Sequence, residues 1–453
     1  MKGETIMAKG TVIDVHCHLF GAKFAVMELA AATWAIIRKE YPYGVKPRGA
    51  FEPLKVLARV QGVADLAAYA ARLITVAAGD EKSNYEFQME SFKKSLLGKK
   101  ELIVAPLMMD VYFALHDNKR FAGAKGSEAK GFEIDPGEMV DFNSHLDSIR
   151  RLVEREKAKI GNLEGTAARR GKDDAVERIF GDVRKEFLKG SARGSGTGYE
   201  GVQMTPGYKY QLEELEALAK DNEGRIYPFL AVDPRREGFM ELVKLKVAEG
   251  KGPFKGIKLY PPLGYLPSHE SLRELYGYCE KNGIPVTVHC SLGGMQNFRR
   301  INRVTGWDRK AEDIDFKAMG TTKSGFYANP LGWETVLNEF PELKLNLDHF
   351  GGPGRGTEGS LNKEWVDTIR RLMAKFSNVY ADIGFVSDMD RAAETLELIE
   401  VDSLLKERMM FGTDYVMVMM DLDLGGLDKY FNSYYGLDSE ILSGNAKRFL
   451  GIT

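Results

Sequence analysis

The sequence predicts an α/β fold, a (β/α)₈ TIM barrel with long helical insertions after strands 1 and 2. Three observations predict it. Short apolar runs bounded by breakers alternate with helical patterns, as parallel βα units do. The runs number eight, the count that closes a barrel. And the chain, at 453 residues, exceeds the roughly 250 residues of a plain barrel by about 200, which insertions can absorb. The competing open doubly wound sheet lacks its expected nucleotide loop.

The eight candidate strands are Thr11–Val15, Leu102–Met108, Arg225–Val232, Phe254–Leu259, Pro285–His289, Leu343–His349, Val379–Ile383 and Arg408–Thr413. From Arg225 onward a helix candidate fills each main gap: Gly238–Ala248, Ser271–Lys281, Trp333–Phe340, Lys363–Phe376 and Asp390–Glu407. The front half is different. Leu19 to Glu101 and Asp110 to Gly224 are far longer than the usual βα connection of about 2–6 residues. Both show helical periodicity, as in Leu54–Leu73 and Met139–Ala158. Lys189–Gly201, rich in glycine and serine, reads as a loop or linker. The expected organisation is one barrel over residues 1–453, with 20–100 and 111–224 as helical insertions forming a lid or a subunit contact, the latter in a homodimer.

Composition narrows the function. Sixty-three Lys and Arg balance 65 Asp and Glu, so there is no basic excess to bind nucleic acid. An aromatic content of 10% suffices for a core and argues against disorder. Three scattered cysteines, Cys17, Cys279 and Cys290, build no disulfide framework and suit a reducing cytoplasm. The opening Met1-Lys2-Gly3-Glu4-Thr5 lacks a signal-type apolar region. The stretch Phe24 to Ile37, interrupted by Glu28, is shorter than the roughly 20 residues of a membrane span. A cytoplasmic enzyme of small molecules, with no membrane or nucleic-acid partner, is the expectation.

The chemistry is carried by histidines. His16 and His18, at the end of the first strand in Ile13-Asp14-Val15-His16-Cys17-His18, share a face because strand side chains alternate. Alone, this spacing suits two hydrogen-bonded histidines better than a metal site. But of seven histidines in the chain, His289 and His349 also end strand candidates, and Asp414 follows the eighth. Barrel active sites assemble from several strand ends at that face, so the five residues are able to reach one point. Imidazole and carboxylate are ligands for zinc and its neighbours.

The pieces IDVHCHL, GIKLYPPLGYLP, GIPVTVHC, LNLDHFGG, FGTDY and SGNAKRFLGI resemble the amidohydrolase superfamily of metal-dependent barrel enzymes. More narrowly, they are similar to the amidohydrolase-2 branch that contains aminocarboxymuconate-semialdehyde decarboxylase. The resemblance implies that His16, His18, His289 and Asp414 bind a divalent metal, zinc first, as one ion rather than two. It implies Asp414 and His349 as catalytic, Asp414 taking a proton from water whose pKa the metal lowers toward roughly 7. Either hydrolysis of a small, carboxylate-bearing substrate or a non-oxidative decarboxylation fits this layout; a non-catalytic metal-binding protein fits less well.

Lys258 stays open: a carboxylated bridge between two metals, a substrate-binding charge, or a lysine paired with a barrel acid. Tyr260 shares its face and is expected to touch substrate. Arg299, with Arg300, Arg303, Arg309 and Lys310, lies in the connection after strand five, suited to an anionic substrate or simply solvated. Asp14 is expected in a structural hydrogen bond, Cys17 and Cys290 in the core, and Met417, Met419 and Met420 packed after strand eight. His116, His145 and His269 are expected in solvent. The glycines of GGPGRGTEG, after His349, are expected to allow close backbone approach.

Overall fold

The computed structural model describes residues 10–40, 57, 62–76, 80–116, 134, 138–163, 173–192, 202, 204–319, 322–354, 360–384, 389–420 and 426–453. Its strands are β1 Thr11–Cys17, β2 Glu101–Pro106, β3 Phe229–Val232, β4 Gly256–Leu259, β5 Val286–Val288, β6 Ile301–Gly306, β7 Arg309–Asp315, β8 Leu345–Leu347, β9 Val379–Asp382 and β10 Met409–Met410. The fold is mixed α/β. Six strands form a parallel sheet in the order β10-β9-β8-β5-β4-β3, and β1 with β2 forms a parallel pair.

Backbone bonds run from this pair to both edges of the larger sheet. Val15 N–H donates to Phe411 O at 3.0 Å and Thr413 N–H to His16 O at 3.1 Å on one side. On the other, Val104 N–H reaches Arg225 O at 2.9 Å and Tyr227 N–H reaches Val104 O at 3.0 Å. All eight predicted strands are present, most of them shorter than their apolar runs. Arg225–Tyr227, for instance, contributes only an isolated bridge, Val104 to Ile226, before the continuous ladder of β3 begins. The strands are buried on both faces, with Leu230, Ile257, Val286, Val288, Leu345, Leu347 and Val379 each 0% exposed. That is why they read as continuous apolar runs rather than alternating ones.

The connection after strand five contains the antiparallel hairpin β6–β7, turned at Gly306-Trp307-Asp308. One expected helix is corrected. The Asp390–Glu407 helix is two, Met389–Val401 and Ser403–Arg408, because Asp402 leaves helical geometry and its Oδ1 caps Leu404 N–H at 2.9 Å.

The front of the chain supplies helices α1 Ala22–Glu40, α2 Val63–Val76, α3 Glu81–Lys94, α4 Met139–Leu163, α5 Asp173–Ala192 and α6 Pro206–Asp221. Residues 54–56, 58–61 and 193–201 of the expected helix and linker lie outside the described residues. Helix α1 is buried on nearly every side, through Phe24, Met27, Leu29, Ala31 and Trp34, and packs against α2, α4, α5 and α6. Its apolar run is thus a core helix; among the described residues no helix is long and apolar enough to cross a membrane. Glu28 within it survives burial by accepting from the Thr205 hydroxyl and from Tyr208 N–H at 2.8 Å, at the capped start of α6. Burial pushes its carboxyl up to about 7.

His145 contradicts its solvated expectation. It is 0% exposed, with Nε2 set between Ala30 O at 3.2 Å and Thr33 Oγ1 at 3.0 Å. A helix-to-helix polar tie, invisible to one-chain periodicity, overrides the expected exposure. His116 and His269 are half-buried. His116 Nε2 lies 2.8 Å from Ala32 O, and His269 Nδ1 accepts from Ser271 N–H at 3.2 Å.

Candidate active site

Buried backbone geometry aims the histidines. His16 and His18 leave β1 on one face, as alternation requires, and are 1% and 4% exposed. His18 Nδ1 lies 2.8 Å from Leu107 O. A carbonyl only accepts, so Nδ1 carries the proton and Nε2 presents a lone pair. His16 Nδ1 lies 3.1 Å from Asp382 Oδ1, which selects the same tautomer. Both Nε2 atoms then face Asp414 Oδ1, at 3.4 Å from His16 and 3.2 Å from His18. That oxygen is buried without a satisfactory hydrogen bond. Two lone pairs and an anionic oxygen converge there, a donor set that a divalent cation satisfies.

His349 and His289 repeat the pattern beside it. His349 Nδ1 lies 3.1 Å from Gly384 O and His289 Nε2 lies 3.0 Å from Gly293 O. The two remaining nitrogens meet at 3.2 Å. With both carbonyl bonds made by N–H groups, lone pair faces lone pair, so a proton or a cation must lie between them. The His349 ring sits 4.6 Å from the ring of His16 and 4.9 Å from that of His289, centroid to centroid. His16, His18 and Asp414 form one group of ligand atoms within metal-binding reach, and His16, His349 and Asp382 another; His289 enters neither. The backbone is strained here, with Asp414 at φ 56° and His349 at φ 63°, left-handed conformations that cost a non-glycine residue about 1–3 kcal/mol.

Electrostatics favour a positive charge. Burial disfavours charged His16, yet Asp382, Asp348 and Asp414 outweigh it and raise the imidazole well above its usual value. Burial likewise opposes ionised Asp414, but His16 and His18 hold it well below the carboxylate range. Burial lowers His18, His289 and His349, His289 further through His349 and Lys258. A field that stabilises imidazolium also stabilises a metal ion.

Beneath the ligands lies a polar layer that sequence reading missed. Asp382 Oδ1 also accepts from His349 N–H at 3.1 Å and Gly384 N–H at 2.9 Å, and its Oδ2 accepts from Asn346 Nδ2 at 2.6 Å. Asn346 continues to Asp348 Oδ1 at 3.0 Å, and Asp348 pairs with Lys258. The signal for Asp382 was available: a carboxylate inside an otherwise apolar strand run has to be paired. Asp14 behaves as expected, accepting from Gln88, the Thr413 hydroxyl and the Thr413 amide. Cys17 and Cys290 are fully buried.

Lys258 is 2% exposed and bound to Asp348, the barrel-acid pairing among its three readings. Tyr260 stacks on His289 at 4.4 Å and accepts from Met295 N–H at 3.0 Å. Both line a small cavity of about 10 Å³ with Met108, Met109, Asp110 and Asp233. The Arg299 side chain is exposed. Its neighbours pair on the hairpin: Arg300 with Asp315, Arg303 with Asp313, Arg309 with Glu312. Those three are solvated ion pairs. Gly352, at φ 65°, approaches Ser291 so closely that a Cβ would meet its Oγ at 2.6 Å; residues 355–359 of that segment lie outside the described residues.

A family model described as Amidohydrolase matches residues 180–452, more than half of the chain. The chain belongs to this amidohydrolase family. The matched segment holds His289, His349, Asp382 and Asp414, while His16 and His18 precede it. No curated protein matches the sequence. Among solved structures, 5-carboxyvanillate decarboxylase LigW from Sphingomonas paucimobilis is 16% identical over 54% of this chain and 72% of its own, with a TM-score of 0.33. An amidohydrolase from Burkholderia multivorans with bound zinc is 16% identical, over 54% and 80%, with a TM-score of 0.36. A mutant of the 5-carboxyvanillate decarboxylase from Novosphingobium aromaticivorans, with bound manganese, is 13% identical over 71% and 95%, with a TM-score of 0.33.

Proposed function

We propose that this protein is a metal-dependent hydrolase of a small organic substrate, working at the site formed by His16, His18 and Asp414. The observation that carries the reading is the convergence of His16 Nε2 and His18 Nε2 on the unsatisfied Asp414 Oδ1. Family membership agrees with it. His16, His18 and Asp414 would hold one divalent ion, zinc first, with His289 Nδ1 as a further donor. The ion, when bound, supplies Lewis-acid polarisation of a carbonyl or carboxylate oxygen.

The chain's own groups supply the rest. Asp414, kept ionised by its two histidines, accepts a proton from the attacking nucleophile at its free oxygen. His349, oriented through Gly384 O, would stabilise negative charge developing on the substrate once the proton it shares with His289 sits on its Nε2. Asp382 and Leu107 O fix the tautomers that aim the ligand nitrogens inward. Lys258, which lines the cavity, is already engaged by Asp348, and the lining acids Asp233 and Asp110 are engaged by Arg235 and Arg236. Lys258 therefore acts here by positioning Asp348, and the substrate oxygen falls to the metal. We further propose that the eight parallel strands form one (β/α)₈ barrel, its two seams being the backbone bonds from β1 and β2, and that the insertion helices roof its catalytic end.

Metal analysis of the purified protein, followed by turnover of a panel of small amides, lactones and carboxylic acids in ¹⁸O-labelled water, tests this. Stoichiometric divalent metal and one ¹⁸O in the product are expected. Protein purified with full zinc supplementation yet lacking metal would overturn the reading. Carbon dioxide release with unlabelled product would assign the alternative, a decarboxylase.

A further inference from the structure

We propose that Tyr69, carried by α2 from the insertion after β1, is a substrate-contacting hydrogen-bond donor of this site, and that its substrate presents an acceptor oxygen on an apolar body. The inference rests on the metal-site reading above and adds a residue from a segment the family match does not reach.

Helix α2 is held over the site at two points. At its start, Gly62 takes φ 87° and lies so near Phe298 that a Cβ would meet the ring at 2.1 Å, which ties the helix to the connection after β5. Along its length it packs against the turn Met417–Met420. That turn follows Asp414 directly and is anchored to it, Val418 N–H donating to Asp414 O at 2.9 Å. Leu66, Ala67, Ala70 and Leu73 are buried along α2, Leu66 and Leu73 on the side that carries Tyr69, and the Tyr69 hydroxyl reaches Met417.

The Tyr69 hydroxyl donates to Met417 Sδ at 3.6 Å. A thioether is a weak acceptor, so the bond holds the phenol in place without consuming the strength of its donor. Burial, with Tyr260 and Asp414 as electronegative neighbours, pushes this phenol well above its ordinary value. It stays an O–H, held by the turn that follows Asp414. Met417, its acceptor, is packed on the core. With Lys258, Arg235 and Arg236 each in an ion pair, the phenol is a neutral donor that the described residues offer a substrate oxygen beside the metal and His349.

Benzohydroxamate, a metal-chelating oxyanion with a planar apolar ring, serves as probe. Its dissociation constant is measured by calorimetry on zinc-loaded wild type, Tyr69→Phe and Met417→Leu, with metal content and melting temperature recorded for each. Tyr69→Phe keeps the ring and its packing, so zinc and melting temperature should hold while the probe weakens about tenfold, the loss of one hydrogen bond to a charged acceptor. Met417→Leu, which replaces the thioether by a branched chain of similar volume, should weaken the probe less than Tyr69→Phe does. Equal affinity of wild type and Tyr69→Phe overturns the inference alone, as do equal losses in the two variants, which mark a structural O–H···S role. Wild type that holds no zinc overturns this inference and the proposed function together.

Discussion

Asp382→Asn isolates the layer beneath the ligands. The carboxylate takes four hydrogen bonds, three on Oδ1 from His16 Nδ1, His349 N–H and Gly384 N–H, and one on Oδ2 from Asn346. An amide has one acceptor oxygen. If that oxygen keeps the three N–H donors, the new NH₂ faces the Asn346 NH₂, and Asn346 must rotate. Its own Oδ1 is unsatisfied and can accept, but rotation costs its bonds to Thr287 and Asp348. Meanwhile the His16 bond drops from charge-assisted to neutral, a loss of roughly 1–1.5 kcal/mol. Together these predict a 10- to 100-fold weaker hold on the metal, or about 1.4–2.8 kcal/mol. Competition with a chromogenic chelator, with metal counted by mass spectrometry and folding checked by circular dichroism, measures it. A folded variant whose zinc dissociation constant stays within twofold of wild type would refute the argument that Asp382 aims His16.

Three further outcomes are expected. His16→Ala should abolish stoichiometric metal while the strands remain folded; full occupancy by elemental analysis would remove His16 from the ligand set. Glu81, buried in the first turn of α3, is pushed up to about 8 by burial, with the Glu214 and Asp80 carboxylates adding to it. The folded state therefore binds the proton more tightly than the unfolded state, and stability declines as pH rises from about 4.5 toward 8, by on the order of 4 kcal/mol. Glu81→Gln, neutral throughout, should gain melting temperature over wild type at pH 8 and not at pH 5; parallel curves would show that Glu81 does not titrate there. Gly62→Ala should destabilise by about 1–2 kcal/mol or more, from its positive φ and the Phe298 ring, seen as a lower melting temperature.

The chain itself determined the strand ends and the residues that stand on them. The eight apolar runs, the H-x-H alternation on β1 and the breakers after each run are local facts, set by pleat and turn chemistry. So His16, His18, His289, His349 and Asp414 were legible before any coordinates. What only tertiary structure decided is the partner of each polar group. Which nitrogen of each histidine faces the site depends on Leu107 O, Asp382, Gly384 O and Gly293 O, atoms from other strands and loops. The partner of Lys258 in the interior is Asp348, 90 residues away. His145 looked solvated until α1 supplied Ala30 O and Thr33. The hairpin after β5 escaped notice because β7 is exposed and charged over most of its length, and β6, buried at alternate positions, buries Asn302 while exposing Ile301. Periodicity reports which face is buried, whereas pKa, tautomer and ligand geometry follow from contacts distant in sequence. Tyr69 is the plainest case, because a tyrosine on an insertion helix gains its meaning only from the Met417 turn beside Asp414.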